Sequence, residues 1–442
     1  MLKIRPFKGI RYNVDKIKDL AYVTAPPYDV INPRQQEEYY KLHDYNVIRL
    51  ILGKEMPGDD ENENKYTRAG VYWRQWLAEG ILIREDEPSL YLYVQEFFIN
   101  GQKYTRTGLI AAVELSDFSE GNVLPHEKTL AHPKVDRLNI MRACQANLSQ
   151  VFGLFKDEDK VLQAIFDDIV KKSPPLVSFQ DKEQVIHKLW KITDEQMIYK
   201  ITGEMARRKI YIADGHHRYE TALAYKKERM SQGNHTGNEN YNYISMVLVS
   251  NSDPGLVVLP THRLVFGLTP DRIKKLLNLL PEYFIIDTSF SNITTGVNSS
   301  LSEFSNILQQ KGCEKTTFGM YTKKTGLVLL TVTDHNLIFK MMGNKHSDAW
   351  KKLDVAVLHE IILHQLLGLS EESMTKQENL KYTRDMEEVI KEVNSGNCQL
   401  GFFLNPTEVN QVINVAEAGD TMPQKSTFFY PKLISGLIFH EL

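Results

Sequence analysis

The chain has 442 residues, 42% of them hydrophobic, and 53 Lys and Arg against 56 Asp and Glu give a net charge of -3. That length supports two or three domains with cores of their own, and that charge excludes a global basic field for nucleic acid or an anionic membrane. Cys144, Cys313 and Cys398 are too few and too scattered for a disulfide framework or a Cys-type zinc site.

The segment MLKIRPFKGI lacks an apolar core of signal-peptide length and no run approaches a membrane span, so the expected location is cytoplasmic. APPYDVINP follows, where Pro26 and Pro27 exclude helix and present Tyr28 and Asp29 from a rigid extended turn. Pro33 opens a helix running to about residue 45, NVIRLILG (46–53) reads as a buried strand, and 54–64 as an acid-rich loop. Val71, Trp73, Trp76 and Leu77 mark a helix, and two alternating strands, 90–99 and 103–114, meet at Asn100-Gly101, a strong hairpin signal.

VLPHEKTLAHPKVDR gathers His126, Glu127, Lys128, His132, Asp136 and Arg137 ahead of a helix starting near Lys134. His126 and His132 lack the i, i+4 spacing of a zinc pair and have no cysteine beside them, so metal binding is the weakest reading. An active-site loop and a solvated helix entry account for the segment equally well. A helix over 158–170, a strand over 185–190 and a helix over about 194–207 lead to IYIADGHHRYETALAY, residues 210–225.

There an apolar run, Ile210 to Ala213, stops at Asp214-Gly215, and a helix begins with Tyr219, Ala222, Leu223 and Met230 as its expected apolar stripe. His216, His217 and Arg218 fall in the first helical turn, where backbone N–H groups and the positive end of the helix dipole favour an anion such as phosphate. Asp214 at the strand end suits a Mg²⁺ ligand or a general base. The plainer alternative is an Asp that only caps the helix, with solvated histidines.

Beyond it come an exposed loop (232–242), a strand (243–250) and LVVLPTHRLV, in which Arg263, beside Thr261 and His262, calls for an anionic partner within its apolar flanks. Residues 270–332 read as an α+β segment with a Ser/Asn/Thr-rich loop at 289–300, and 353–367 as a mostly apolar helix with Asp354, whose His359 and His364 are packed or half exposed rather than ligands. The tail TMPQKSTFFYPKLISG sets Lys425, Ser426, Thr427 and Lys432 around an aromatic run. A lysine and two hydroxyls suit phosphate without the glycines of a P-loop; a basic turn before an edge strand fits as well.

RPF, APPYDV, NVIRLILG, PHE with the downstream DR, ADGHHRYETA, PTHRLV, LDV and MPQKSTFFYPK, in that order, resemble the domain-of-unknown-function 1015 family from end to end. ADGHHRYETA is also similar to the signature of the ParB/sulfiredoxin-like fold, which holds nucleotide phosphates at a strand-to-helix turn, and its DGHHR form to the free serine kinases, which make O-phosphoserine with ADP as donor. The resemblance implies an α+β fold with a ParB/sulfiredoxin-like core at 126–267, carrying large α+β insertions, between an N-terminal α+β part (1–125) and a C-terminal α+β part (268–442). It implies Gly215, His216, His217, Arg218, Lys425, Ser426 and Thr427 on nucleotide phosphates. His126, Arg137 and Arg263 would contact substrate, and Asp214 would hold Mg²⁺ or the seryl hydroxyl. The kinases' catalytic glutamate has no matched position, which leaves Asp214, His216, Asp29 and Glu127 as catalytic candidates.

The expected function is a phosphotransferase of serine metabolism, a serine kinase or an O-phosphoserine phosphotransferase or phosphatase, with Mg²⁺ and ADP or ATP as cofactors. Its partners would be a phosphorylated small molecule and a nucleotide, with neither nucleic acid nor membrane. The alternative is a ParB-like nucleotide-binding regulator; no helix-turn-helix or Lys/Arg-rich segment accompanies it, and the near-neutral composition disfavours a nuclease.

Overall fold

The computed structural model describes residues 1–129, 131–233, 235–291 and 298–442. Residues 292–297 of the loop expected at 289–300 lie outside them. The fold is mixed α+β, in two compact units: Met1–Pro125 with Thr129–Val257 and Pro431–Leu442, and His126–Lys128 with Val258–Tyr430. The last twelve residues thus belong to the first unit, and the PHE segment contributes to the second.

The first unit is built on a nine-stranded sheet. Its strands are β1 (Ile4–Arg5), β2 (Leu90–Ile99), β3 (Gln102–Glu114), β4 (Val123–Leu124), β5 (Val151–Phe155), β6 (Val177–Gln180), β7 (Ile186–Ile192), β8 (Ile210–Asp214) and β9 (Tyr243–Ser250). They run in the order β4-β8-β5-β9-β3-β2-β7-β6, with β1 beside β3; β8 is parallel to β4 and β9 to β5, and the remaining pairs are antiparallel. β2 and β3 form the hairpin expected at Asn100-Gly101, where Asn100 has φ of +50° and Gly101 of +80°. A four-stranded sheet of Leu82–Arg84, Gly9–Tyr12, Phe439–Glu441 and Ala146–Asn147 ties the C-terminal segment into this unit.

The helices of this unit are α1 (Pro33–Leu42), α2 (Ile48–Ile51), α3 (Lys65–Ala78), α4 (Ala131–Cys144), α5 (Val161–Lys172), α6 (Glu195–Met205) and α7 (His216–Ser231). α2 overturns the strand expected in NVIRLILG. A short buried apolar run has the same pattern in either conformation, and the choice is made by Asn46, whose Oδ1 accepts from Ile48 N at 2.9 Å while its amide donates to the carbonyls of Tyr22 and Thr24. The core joins Leu92, Leu109, Ile210, Ile212 and Leu248 of the sheet to Phe166, Ile201, Met205, Tyr219 and Ala222 of the helices. Full burial of each large apolar side chain contributes about 1.5–3 kcal/mol. α7 buries Tyr219, Ala222 and Tyr225, whereas Met230, expected on that face, is exposed.

The second unit has a six-stranded sheet, β10 (His262–Val265), β11 (Phe284–Asp287), β12 (Thr317–Thr322), β13 (Gly326–Val332), β14 (Leu380–Thr383) and β15 (Leu400–Phe403), in the order β11-β13-β12-β15-β10-β14. All described pairs in it are antiparallel. The helix expected at 353–367 begins as Asp354–Val357 and continues over Leu358–Leu366 with the wider π-type hydrogen bonding. Among the described residues, no helix is long and apolar enough to cross a membrane.

Candidate functional site

β8 delivers Asp214 to the start of α7, and Gly215 makes the turn. Its φ of +92° is left-handed, and a Cβ placed there would meet the Arg218 guanidinium at 2.8–2.9 Å. Glycine therefore serves both the backbone angle and the close approach of the arginine. No side chain caps the first turn of α7 at Gly215. Arg218 folds back over the turn, with Nη1 donating to the Gln150 carbonyl and Nη2 lying 3.5 Å from Asp214 Oδ1.

The other Asp214 oxygen, Oδ2, accepts from Lys432 Nζ at 2.7 Å. Lys432 arrives from the C-terminal segment, whose backbone is fixed by side chains of β2 and β3. Gln95 Nε2 donates to the Lys432 carbonyl at 3.1 Å, and Arg106 Nη2 donates to the Pro431 carbonyl and to Gln95 Oε1. Arg106 is 1% exposed, and burial lowers its pKa to about 10 against the opposing pull of Tyr93, Asp253 and Asp214.

Burial pushes the Asp214 pKa up, but Lys432, then Arg218, and the hydrogen bond from Lys432 outweigh it, with His216 adding to them. The carboxyl is held well below the ordinary carboxylate range. Such a group stays ionised and accepts protons poorly near neutral pH.

Arg137 of α4 adds a further cation. Its Nη1 donates to the Ile51 carbonyl at 2.7 Å, its Nε donates to Asp136 Oδ2 at 3.0 Å, and its guanidinium lies 3.7 Å from the ring centre of Tyr28. Tyr28, Arg137, Ser149, Arg218 and Thr221 border one cavity of about 50 Å³. Thus the APPYDV turn, the DR pair and the DGHHR turn meet at one place. Asp29, next to Tyr28, is exposed; His216 is buried and His217 half-buried.

The remaining candidates lie in the second unit. His126 is fully buried, its carbonyl accepts from Met422 N at 2.8 Å, and its Nε2 is 3.1 Å from Thr427 Oγ1. Glu127 forms a backbone bridge with Met422. Lys425 sits in the left-handed region at φ +57° and offers its carbonyl to Arg263 Nη2 at 3.0 Å. Ser426 is buried and donates to the Pro423 carbonyl. PHE, PTHR and MPQKST therefore pack together.

Among the described residues, no group of three or more His, Cys, Asp or Glu could hold a metal ion. Magnesium can sit on one or two carboxylates plus phosphate oxygens, but each Asp214 oxygen already faces a cation. The donor set at Asp214 does not suit Mg²⁺. Lys432, Gln95, Arg106 and Gln150 carry no local mark of a site role in the sequence beyond the YPK that ends MPQKSTFFYPK.

A family model described as a protein of unknown function (DUF1015) matches residues 4–356. No curated protein matches the chain. Among solved structures, the chain is similar to a conserved hypothetical protein from Pyrococcus furiosus (10% identity, 74% of this chain and 92% of that one, TM-score 0.34). It is also similar to free serine kinase in complex with AMP (10%, 73% and 86%, TM-score 0.35) and to SbnI with a C-terminal truncation from Staphylococcus aureus (9%, 74% and 85%, TM-score 0.34). Likenesses this low leave the function to the chain's own residues.

Proposed function

The chain belongs to the DUF1015 family, and we propose that it is a phosphotransferase of serine metabolism, a serine kinase or an O-phosphoserine phosphotransferase or phosphatase, that seats phosphate at the Asp214–Arg218 turn. The observation that carries the reading is the ionised Asp214 held between Lys432 and Arg218 at the start of α7, with Arg137 bordering the same cavity as Arg218. Arg137, Arg218 and Lys432 face Asp136 and Asp214, which leaves positive charge in excess beside a helix N-terminus. The 3.5 Å contact between Arg218 and Asp214 is long, so Arg218 is the group that turns to an arriving phosphate while Lys432 keeps its carboxylate.

The serine half of the reading comes from the resemblance of ADGHHRYETA, as does the assignment of the strands around β8 to a ParB/sulfiredoxin-like core. In the kinase direction, the seryl oxygen bonds to the terminal phosphorus of ADP or ATP, the bond from that phosphorus to the bridging oxygen breaks, and the nucleotide shortened by one phosphate departs. The hydroxyl proton passes to a carboxylate, a role we give to Asp29, because Asp214 is too weak a base. Neutralising phosphate oxygens is the main demand of this chemistry, and the three cations supply it without a step routed through a metal.

Purified protein is incubated with serine plus ADP or ATP, and with O-phosphoserine alone or with a nucleotide, and products are followed by ³¹P NMR. Turnover in one combination, abolished in Arg218→Ala, is the expected result. Nucleotide binding without turnover in any combination would replace this reading with the ParB-like regulator, and absence of both would remove it.

A further inference from the structure

In the second unit, Arg263 is 1% exposed and makes three hydrogen bonds, all to neutral groups: Nη1 to the Thr261 carbonyl, Nη2 to the Lys425 carbonyl at 3.0 Å and Nε to His359 Nε2 at 3.4 Å. A guanidinium has five N–H donors, so one on each Nη is left without an acceptor among the described residues. Its charge has no carboxylate partner among the described residues. The Tyr382 ring lies 5.4 Å away, and burial lowers the Arg263 pKa to about 10. A buried cation in this state is costly unless an anion completes it.

The space it faces is shaped for one. Thr261, Arg263, Asp354, Asn405 and Ser426 border a pocket of about 20 Å³. That admits about one water-sized group, which matches the tip of a carboxylate and not a whole phosphate. The pocket adjoins a cleft of about 590 Å³, and Asp354, Asn405, Pro406 and Gln411 border both. The cleft carries Lys315 and Lys352 as well as Glu314 and Glu408, so its walls are mixed in charge.

We propose that this is a second ligand site, in which Arg263 takes the carboxylate of a small organic acid whose body occupies the adjoining cleft. The site stands on the second unit alone and does not rest on the phosphotransferase reading. One free N–H on each Nη leaves the planar fork of Arg263 two donors for carboxylate oxygen, the group to which a guanidinium is suited. Asp354 opposes an anion only when ionised, and its burial, aided by Glu408 and partly offset by hydrogen bonds with Asn405 and Thr316, raises its pKa to about 7.

The full chain is titrated with acetate, propionate and succinate, and separately with inorganic phosphate, by calorimetry and by the shift in Tm. The expected result is carboxylate binding that strengthens with chain length, with phosphate no more effective at this site than in Arg263→Lys. That variant keeps the charge and loses the fork, and should weaken carboxylate binding about tenfold, the equivalent of one charge-assisted hydrogen bond. Gln411→Glu puts a negative charge at the rim without touching the Arg263 contacts, and should weaken binding even if Arg263→Lys fails to fold. Carboxylates that do not bind, or that bind equally to the parent and to Gln411→Glu, overturn the proposal. Phosphate bound as tightly as succinate and lost in Arg263→Lys replaces it with a phosphate site.

Discussion

The two units bury arginine and lysine in opposite ways. At Asp214 each carboxylate oxygen faces a cation and the buried charge is largely balanced from within the chain. At Arg263 the hydrogen-bond partners are two carbonyls and an imidazole, and the charge is left open. A clamped carboxylate can lend one of its cations to an incoming phosphate and take it back when the phosphate leaves. An unbalanced guanidinium is finished only by a ligand. The first arrangement suits turnover and the second suits retention.

Lys432→Met is the substitution that breaks this contrast most severely. It leaves the half-buried Asp214 with only the longer Arg218 contact, and since stranding one member of a fully buried pair costs about 3–5 kcal/mol, the loss falls toward the lower end of that range. The expected outcome is a loss of that size in urea unfolding, monitored through the first unit. Adding Asp214→Asn should restore much of it, since the carboxylate that lost its short partner is then neutral. A double variant as unstable as Lys432→Met would mean that packing of the lysine stem, rather than the ion pair, holds the C-terminal segment in place.

The contrast extends to pH. Asp214 has a depressed pKa, so its stabilising contribution is complete above the unfolded carboxylate value and is lost only as pH falls well below it. The Lys432→Met deficit should therefore be constant across neutral pH. Asp354 has its pKa raised to about 7. Between the unfolded value near 4 and that pKa, the folded state binds more protons than the unfolded one, and stability falls as pH rises, by up to about 1.4 kcal/mol per unit. Asp354→Asn should flatten that slope in the second unit. An unchanged slope would place the titration elsewhere than at Asp354.

These residues also divide by how far the sequence disclosed them. The strand, turn and helix at 210–231 were readable, because a buried apolar run, Asp-Gly and a helical stripe each have a local cause. The meeting of APPYDV, DR and DGHHR at one cavity was legible only as a list of charged motifs in order. The Asp214–Lys432 bond spans 218 positions, and nothing local at either end announces the other. NVIRLILG misled for a related reason: its hydrophobicity fixed burial, whereas Asn46 and the carbonyls it reaches fixed the helical turn. The apolar flanks of Arg263 call for an anion; that its contacts are all neutral is a property of the packed unit.

The smallest expected change in stability sharpens the contrast at Gly215. An alanine at its left-handed φ costs roughly 1–2 kcal/mol, and its methyl group would push the Arg218 guanidinium off the turn. Asparagine tolerates that backbone angle better, so Gly215→Asn should recover most of the stability while displacing the guanidinium as alanine does. If Arg218 seats the phosphate, both variants lose the phosphate-dependent rise in Tm to the same extent despite their different stabilities, and carboxylate binding at Arg263 is unaffected in either. A phosphate response that tracked stability instead, returning in Gly215→Asn, would assign the anion to the backbone and dipole of α7 and leave Arg218 as a strut between Asp214 and Gln150.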